Sequence, residues 1–172
     1  MIIDLGDRSK VVTYGKNGET NCFDLCKNIL ENYGINDCGS PHNRIQLLTE
    51  HNGNLIYYGN NPRENYKNAI ECIDNHLNNN RPIIVGVNHT IGKTINEGAT
   101  DHFVVIYGKG YEDGNYFYTY YEVGKSNINA SYDGENNRFV YVDDDEPLFY
   151  DAKSNRGDGK RFDVTQVRPN KF

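Results

Sequence analysis

A chain of 172 residues suits one domain with a real core. Its formal charge of −6 lacks the basic footprint that a nucleic-acid partner requires, and it argues equally against simple electrostatic attraction to anionic lipid or acidic wall polymers. No segment reaches membrane-spanning length, and four cysteines in a chain this long do not make a disulfide scaffold, so a reduced environment fits. The mean hydropathy of −0.78 implies a very polar surface, and the 14 tyrosines can bury their rings while keeping their hydroxyls wet. Met1 to Asp7 shows no basic n-region and no long apolar stretch. The expected location is therefore the cytoplasm, or outside the cell by a route without a standard signal peptide, unless the chain is a fragment.

Residues 10–14 read as a short strand ended by Gly15 and Gly18. A helix is expected from about 21 to 33, closed by Gly34, because Cys22, Leu25, Cys26, Ile29, Leu30 and Tyr33 recur at helical spacing. Ser40-Pro41, an N-cap before a proline at the first helical position, predicts a second helix toward His51. Asn52-Gly53 ends it, and residues 55–58 read as a strand. Asn61-Pro62 repeats the cap signature and predicts a third helix to about Asn79, with Ala69, Ile70, Ile73 and Leu77 inward. The continuous apolar run 82–87 reads as a buried strand, and the polar stretch 88–100 as a loop. Strands follow at 103–107 and 116–123, with Asp113-Gly114 as the hairpin turn between them, and again at 139–142 and 162–167. Residues 143–147 and 154–160 read as surface loops. With no repeat and no linker, residues 1–172 form one domain. Helices first and strands second predict an α+β fold, with N-terminal helices packed on a C-terminal antiparallel sheet.

Two positions carry chemistry. Cys22 starts the first helix, where unpaired N–H groups and the helix dipole lower a thiol pKa. Its own N–H can donate to an oxyanion. The ordinary alternative is a small buried hydrophobe, which is the reading for Cys26, one turn further along the apolar stripe. His102 opens the run Phe103-Val104-Val105-Ile106-Tyr107 after a loop, where a side chain can be rigid and still reachable. His42, His51 and His76 are less well placed, and His89 is the runner-up. A thiol at a helix start with an imidazole at a strand start is the layout of a cysteine nucleophile and its base.

A third group should orient the imidazole. Glu122, at the end of Tyr116-Phe117-Tyr118-Thr119-Tyr120-Tyr121, is favoured, and Asn127 is the alternative. Strand parity decides which side chain faces His102, and one bulge reverses that answer. Asp101 neighbours the histidine, but adjacent strand residues point to opposite faces.

Three blocks in order resemble the papain-like cysteine peptidase superfamily: Thr20-Asn21-Cys22-Phe23-Asp24-Leu25, Arg81-Pro82-Ile83-Ile84-Val85-Gly86-Val87 and Asp101-His102-Phe103-Val104-Val105-Ile106-Tyr107-Gly108. The resemblance implies Cys22 as nucleophile and His102 as base. It names Asn or Asp for the third role, from which Glu122 departs. Lys16 stands where papain has its oxyanion glutamine, and the Cys-Gly-Ser-Cys-Trp signature is absent. The chain therefore looks closer to compact bacterial peptidases and peptidoglycan amidases than to lysosomal cathepsins. The resemblance implies a papain-like fold without a cofactor, and amide cleavage through an acyl-thioester. It points to a toxin-like effector with a peptide or peptidoglycan-peptide substrate, and leaves open an immunity or inhibitor protein as a second partner.

Other classes compete. Cys22-x3-Cys26 and Cys38-x3-His42 have structural-zinc spacing. A papain-like domain without chemistry would be a binding module. Asp143-Asp144-Asp145-Glu146 lacks the spaced ligands of a calcium loop, and the glycines match no phosphate-binding fingerprint.

Overall fold

The structure is a computed structural model that describes residues 2–89, 98–143, 147–151, 153 and 161–171. Its first half holds β1 (Ile3–Asp4), α1 (Cys22–Asn32), β2 (Ile45–Gln46), β3 (Leu48–His51), β4 (Asn54–Tyr57) and α2 (Pro62–Asn78). Its second half holds β5 (Ile83–Asn88), β6 (His102–Glu112), β7 (Asn115–Tyr121), α3 (Ile128–Ser131), β8 (Arg138–Asp143), β9 (Pro147–Asp151) and β10 (Phe162–Arg168). Both longer helices start as their caps dictate. Asn21 Oδ1 accepts from the Asp24 N–H at 3.1 Å, and Asn61 Oδ1 accepts from the Glu64 N–H at 3.2 Å. Gly34, at φ +80°, follows the end of α1.

The expected helices-on-a-sheet arrangement, and with it the papain-like fold, is wrong. The strands pair antiparallel in the order β6-β5-β10-β9-β8-β7, and β7 returns to β6, so the sheet closes into a six-stranded barrel. β1 and β2 add to β6 and β10 from outside, and β3–β4 is a separate hairpin. The protein is mostly β. A strand list cannot show closure, which depends on β9 bridging β10 and β8. That bridge falls where the acidic run and Pro147 read as loop, although Pro147 opens β9.

Local expectations also shift. The helix expected after Ser40-Pro41 is only a short 3₁₀ turn, Pro41–Asn43, and the chain then pairs as β2 with β10 and as β3 with β4. Residues 11–13 are irregular, so the first predicted strand does not form. The rest of the loop 88–100 between 90 and 97, residues 144–146 of the acidic run and residues 154–160 lie outside the described residues. Among those described, no helix is long and apolar enough to cross a membrane.

Alternation along the strands separates two cores. Ile83, Val85, Val87, Val104, Ile106, Tyr118, Tyr120, Phe139, Phe149, Phe162, Val164 and Val167 come from all six barrel strands and form the interior. α2 joins this cluster through Tyr66, Ala69, Ile73 and Leu77. The opposite faces of β5, β6 and β7, with Ile84, Phe103, Val105, Tyr107 and Tyr121, receive Leu25, Cys26, Ile29 and Leu30 of α1. α1 therefore lies outside the barrel.

Phe139 is fully buried and stacks on Tyr120 at 4.3 Å between centroids. Phe139→Ala should lower stability by about 3–5 kcal/mol through the cavity it leaves. Urea unfolding should show this as a lower midpoint at unchanged slope.

Candidate active site

Cys22 occupies the first helical position of α1, half-buried, with Asn21 as the cap before it. Two aromatic residues bring this helix end to β6. Phe23 follows Cys22 and Phe103 follows His102, and their rings meet edge to face at 5.0 Å. The buried Arg168 lies 5.3 Å over each ring and donates to the Gly39 carbonyl at 2.8 Å. A Cβ at Gly39 would come within 2.8 Å of the Phe23 ring, so glycine admits this packing.

His102 shares its strand face with Val104 and Ile106 and so stands at the mouth of the barrel interior, with the Phe162 ring 5.7 Å away. Glu122 comes to it through an irregular register. From Glu112↔Asn115 to Gly108↔Thr119 the hairpin pairs regularly, and then Ile106 pairs with Tyr120 and Val105 with Tyr121. Tyr107 is the extra residue of a β-bulge. Without it, Glu122 would face the same side as Val105, toward α1. With it, Glu122 lies beside Val104, on the face of His102. The Nε2 of His102 and Oε1 of Glu122 are 2.6 Å apart, with both side chains buried.

The peptide of Glu122 is clamped as well. Its N–H donates to the Ser131 carbonyl at 2.9 Å, and Ser131 Oγ donates to its carbonyl. Asn137 Nδ2 donates to the Ala130 carbonyl at 2.9 Å. The Gly124 N–H reaches Glu122 Oε1 at 2.7 Å. The alternative third residue, Asn127, instead caps α3 and accepts from the Asn129 N–H at 2.8 Å.

The electrostatics follow. Burial works against a charged imidazole at His102, but the Glu122 carboxylate and hydrogen bonds to Cys22 and Glu122 overcome it and raise the pKa to about 9. Burial likewise opposes a thiolate at Cys22, and the hydrogen bond to His102, its charge and the backbone of Phe103 and Phe23 pull the pKa below the ordinary thiol value. With Nε2 engaged by Glu122, Nδ1 is the ring nitrogen left for the sulfur. The other three thiols move the opposite way. Burial, reinforced by the charges of Cys22 and Glu122, pushes Cys26 well up. Burial also raises Cys38, and takes Cys72 to about 11.

The remaining histidines have other roles. His76 is buried near the end of α2, with Nδ1 2.8 Å from the Cys72 carbonyl and Nε2 accepting from the Asn170 N–H at 3.0 Å. His89 packs its ring 5.4 Å from Phe162, and its N–H donates to both carboxylate oxygens of Asp101. Asp101 thus holds β5 against the start of β6. His42 and His51 are exposed. Among the described residues no group of three or more His, Cys, Asp or Glu is placed to hold a metal, so the zinc spacing does not assemble a site.

Comparison with known proteins returns no matching family model, no matching curated protein and no matching solved structure. Sequence reasoning missed Phe23, Phe103, Arg168, Ser131 and Gly124, none of which carries a motif. Gly124 had a signal only in being a glycine two residues after the expected third group.

Alkylation by iodoacetamide, read cysteine by cysteine by mass spectrometry, should label Cys22 below pH 7 ahead of Cys38 and Cys72. Glu122→Gln removes the charge that sustains the imidazolium, so the Cys22 midpoint should move up. Stability has its own sign. The His102 pKa is raised from an ordinary 6.5 to about 9, so the pair's contribution is complete below about 6.5 and is lost as pH rises through about 9. Thermal melts from pH 6 to 10 should show this alkaline decline, and Glu122→Gln should flatten it.

Proposed function

We propose that the protein is a thiol-dependent amide-bond hydrolase working through an acyl-thioester. The observation that carries the reading is the buried contact of His102 with Glu122 at 2.6 Å, beside a Cys22 thiol that His102 draws below the ordinary thiol pKa. In the resting site the thiol proton sits on the imidazole. The thiolate attacks the substrate carbonyl carbon, a C–S bond forms, and the carbonyl electron pair moves to oxygen. The Cys22 N–H, at the first turn of α1 where helix amides have no intrahelical acceptor, is the donor placed for that oxyanion. As the C–N bond breaks, the imidazolium gives its proton to the departing amine. The neutral imidazole then takes a proton from water, which attacks the thioester and releases the acid and the thiolate. Glu122 keeps the imidazole oriented and balances its charge at each stage.

The order of cysteine helix, histidine strand and acidic third residue supports kinship of mechanism with papain-like cysteine peptidases. The preference for peptidoglycan peptides, in the manner of a bacterial effector, rests on the likeness of the sequence blocks to compact bacterial amidases.

Incubation with a mixture of wall muropeptides and, separately, with an unfolded protein substrate tests the reading. New amine termini in either, absent with Cys22→Ala, are expected, with an alkaline limb of kcat/KM near pH 9. Cleavage confined to the protein substrate would remove the wall-peptide assignment. A Cys22 that alkylates rapidly at neutral pH but forms no thioester adduct with either would remove the hydrolase.

A further inference from the structure

We infer that Gly124 is a positioning residue for the His102–Glu122 pair, acting through its backbone N–H and through the space its missing side chain leaves. This rests on the reading that Cys22, His102 and Glu122 act as one unit.

Glu122 has three side-chain torsions and is longer than the Asn or Asp expected in its role, so its carboxylate has more freedom to lose. Two donors remove that freedom at one atom. Oε1 lies 2.6 Å from His102 Nε2 and 2.7 Å from the Gly124 nitrogen. An N–H aimed at a carboxylate favours its charged form. Here that N–H reaches the same oxygen that contacts the imidazole, so it favours the proton on His102.

The need for glycine is spatial. Gly124 is absent from the residues with positive φ, so its backbone conformation is open to any residue. A Cβ there would lie 2.9 Å from Glu122 Oε1, 3.3 Å from His102 Cε1 and 3.6 Å from His102 Nε2. The Glu122 peptide cannot retreat, because Ser131 holds both its N–H and its carbonyl. A side chain at 124 therefore turns the carboxylate away from the imidazole.

Among the described residues, three other ionisable groups act on the pair. Cys22 faces His102 from α1, while Cys26 from α1 and Asp151 from β9 act on Glu122 through charge. All three remain in place when Gly124 changes, so a shift in the variant reports the Glu122 contact.

The experiment is the pH dependence of Cys22 alkylation by iodoacetamide in wild type and Gly124→Ala, with Cys38 and Cys72 as internal references. The expected result is a Cys22 midpoint raised by about one pH unit or more, a roughly tenfold slower reaction on the acid side, with both references unmoved. A folded variant with an unmoved Cys22 midpoint, even one less stable, overturns the inference, because a packing role alone predicts that pattern. If Cys26 becomes reactive in the variant, it has not folded, and the wild-type Gly124 amide decides by NMR. A slowly exchanging amide proton that shifts in Glu122→Gln supports the inference, and one that does not respond overturns it. The two readings fail separately. A wild-type Cys22 that titrates as an ordinary thiol overturns the catalytic unit and Gly124's role together. An acidic wild-type Cys22 with an unmoved variant overturns only the role of Gly124.

Discussion

The bulge at Tyr107 is the constraint on which the site depends. One residue inserted into β6 puts Tyr107 and Gly108 in succession on the outer face of the barrel. The Tyr107 ring then stacks on Tyr121 at 4.2 Å, inside the core shared with α1. A Cβ at Gly108 would come within 2.5 Å of Thr119 Oγ1, so the neighbouring strand lies close there. The phase change turns Lys109 and Ile106 to the same side, although they stand three positions apart in one strand. It also turns Glu122 into the barrel mouth, where His102 already points. Without the bulge the same residues would make a well-packed barrel with its acid and its base on opposite sides of the wall.

The closed barrel gives the pair its environment. Aromatic rings line the interior, and the Phe162 ring lies beside the imidazole, so the His102–Glu122 contact is shielded from water. In such surroundings an unpaired charge would be costly and a paired one is strongly held. Only Cys22 comes from outside the barrel. It arrives on the first turn of a helix docked by the Phe23–Phe103 contact under Arg168, and it remains half-buried. The imidazole and its carboxylate partner are thus enclosed, while the Cys22 thiol alone of the three is partly exposed. Cys26, one turn away on the same helix, feels the opposite balance, because burial dominates there and no imidazole is at hand.

Elsewhere the same solution recurs, a charge buried among rings and tied to one partner. Lys109 is nearly enclosed, with Asp74 of α2 at 2.8 Å and the rings of Tyr116, Tyr118 and Tyr141 around it. Tyr118 donates to the other oxygen of Asp74 at 2.8 Å. This contact fastens α2 to the barrel wall and uses tyrosine hydroxyls to satisfy polar groups that a purely apolar core would strand. The very polar composition and the many tyrosines are two sides of this construction.

What the sequence determined by itself is local. The caps Asn21 and Asn61 and the apolar spacing behind them define both long helices, because capping and amphipathicity are properties of adjacent residues. Asn52-Gly53 and Asp113-Gly114 turn the chain with positive φ at each residue, as their small or absent side chains allow. Cys22 at a helix start and His102 at a strand start were legible for the same reason, and Glu122 was legible as the acid ending a strand. The tertiary structure alone decided the rest. Residues after Ser40-Pro41 became strands because β10 offered them a partner, against a sound helix-start signal. β9 was hidden by its proline and closed the barrel by pairing with strands on either side. The choice of Glu122 over Asn127 turned on a single extra residue in the register. Strand pairing, closure and face depend on distant chain segments meeting, and no local pattern of residues encodes which of them will meet.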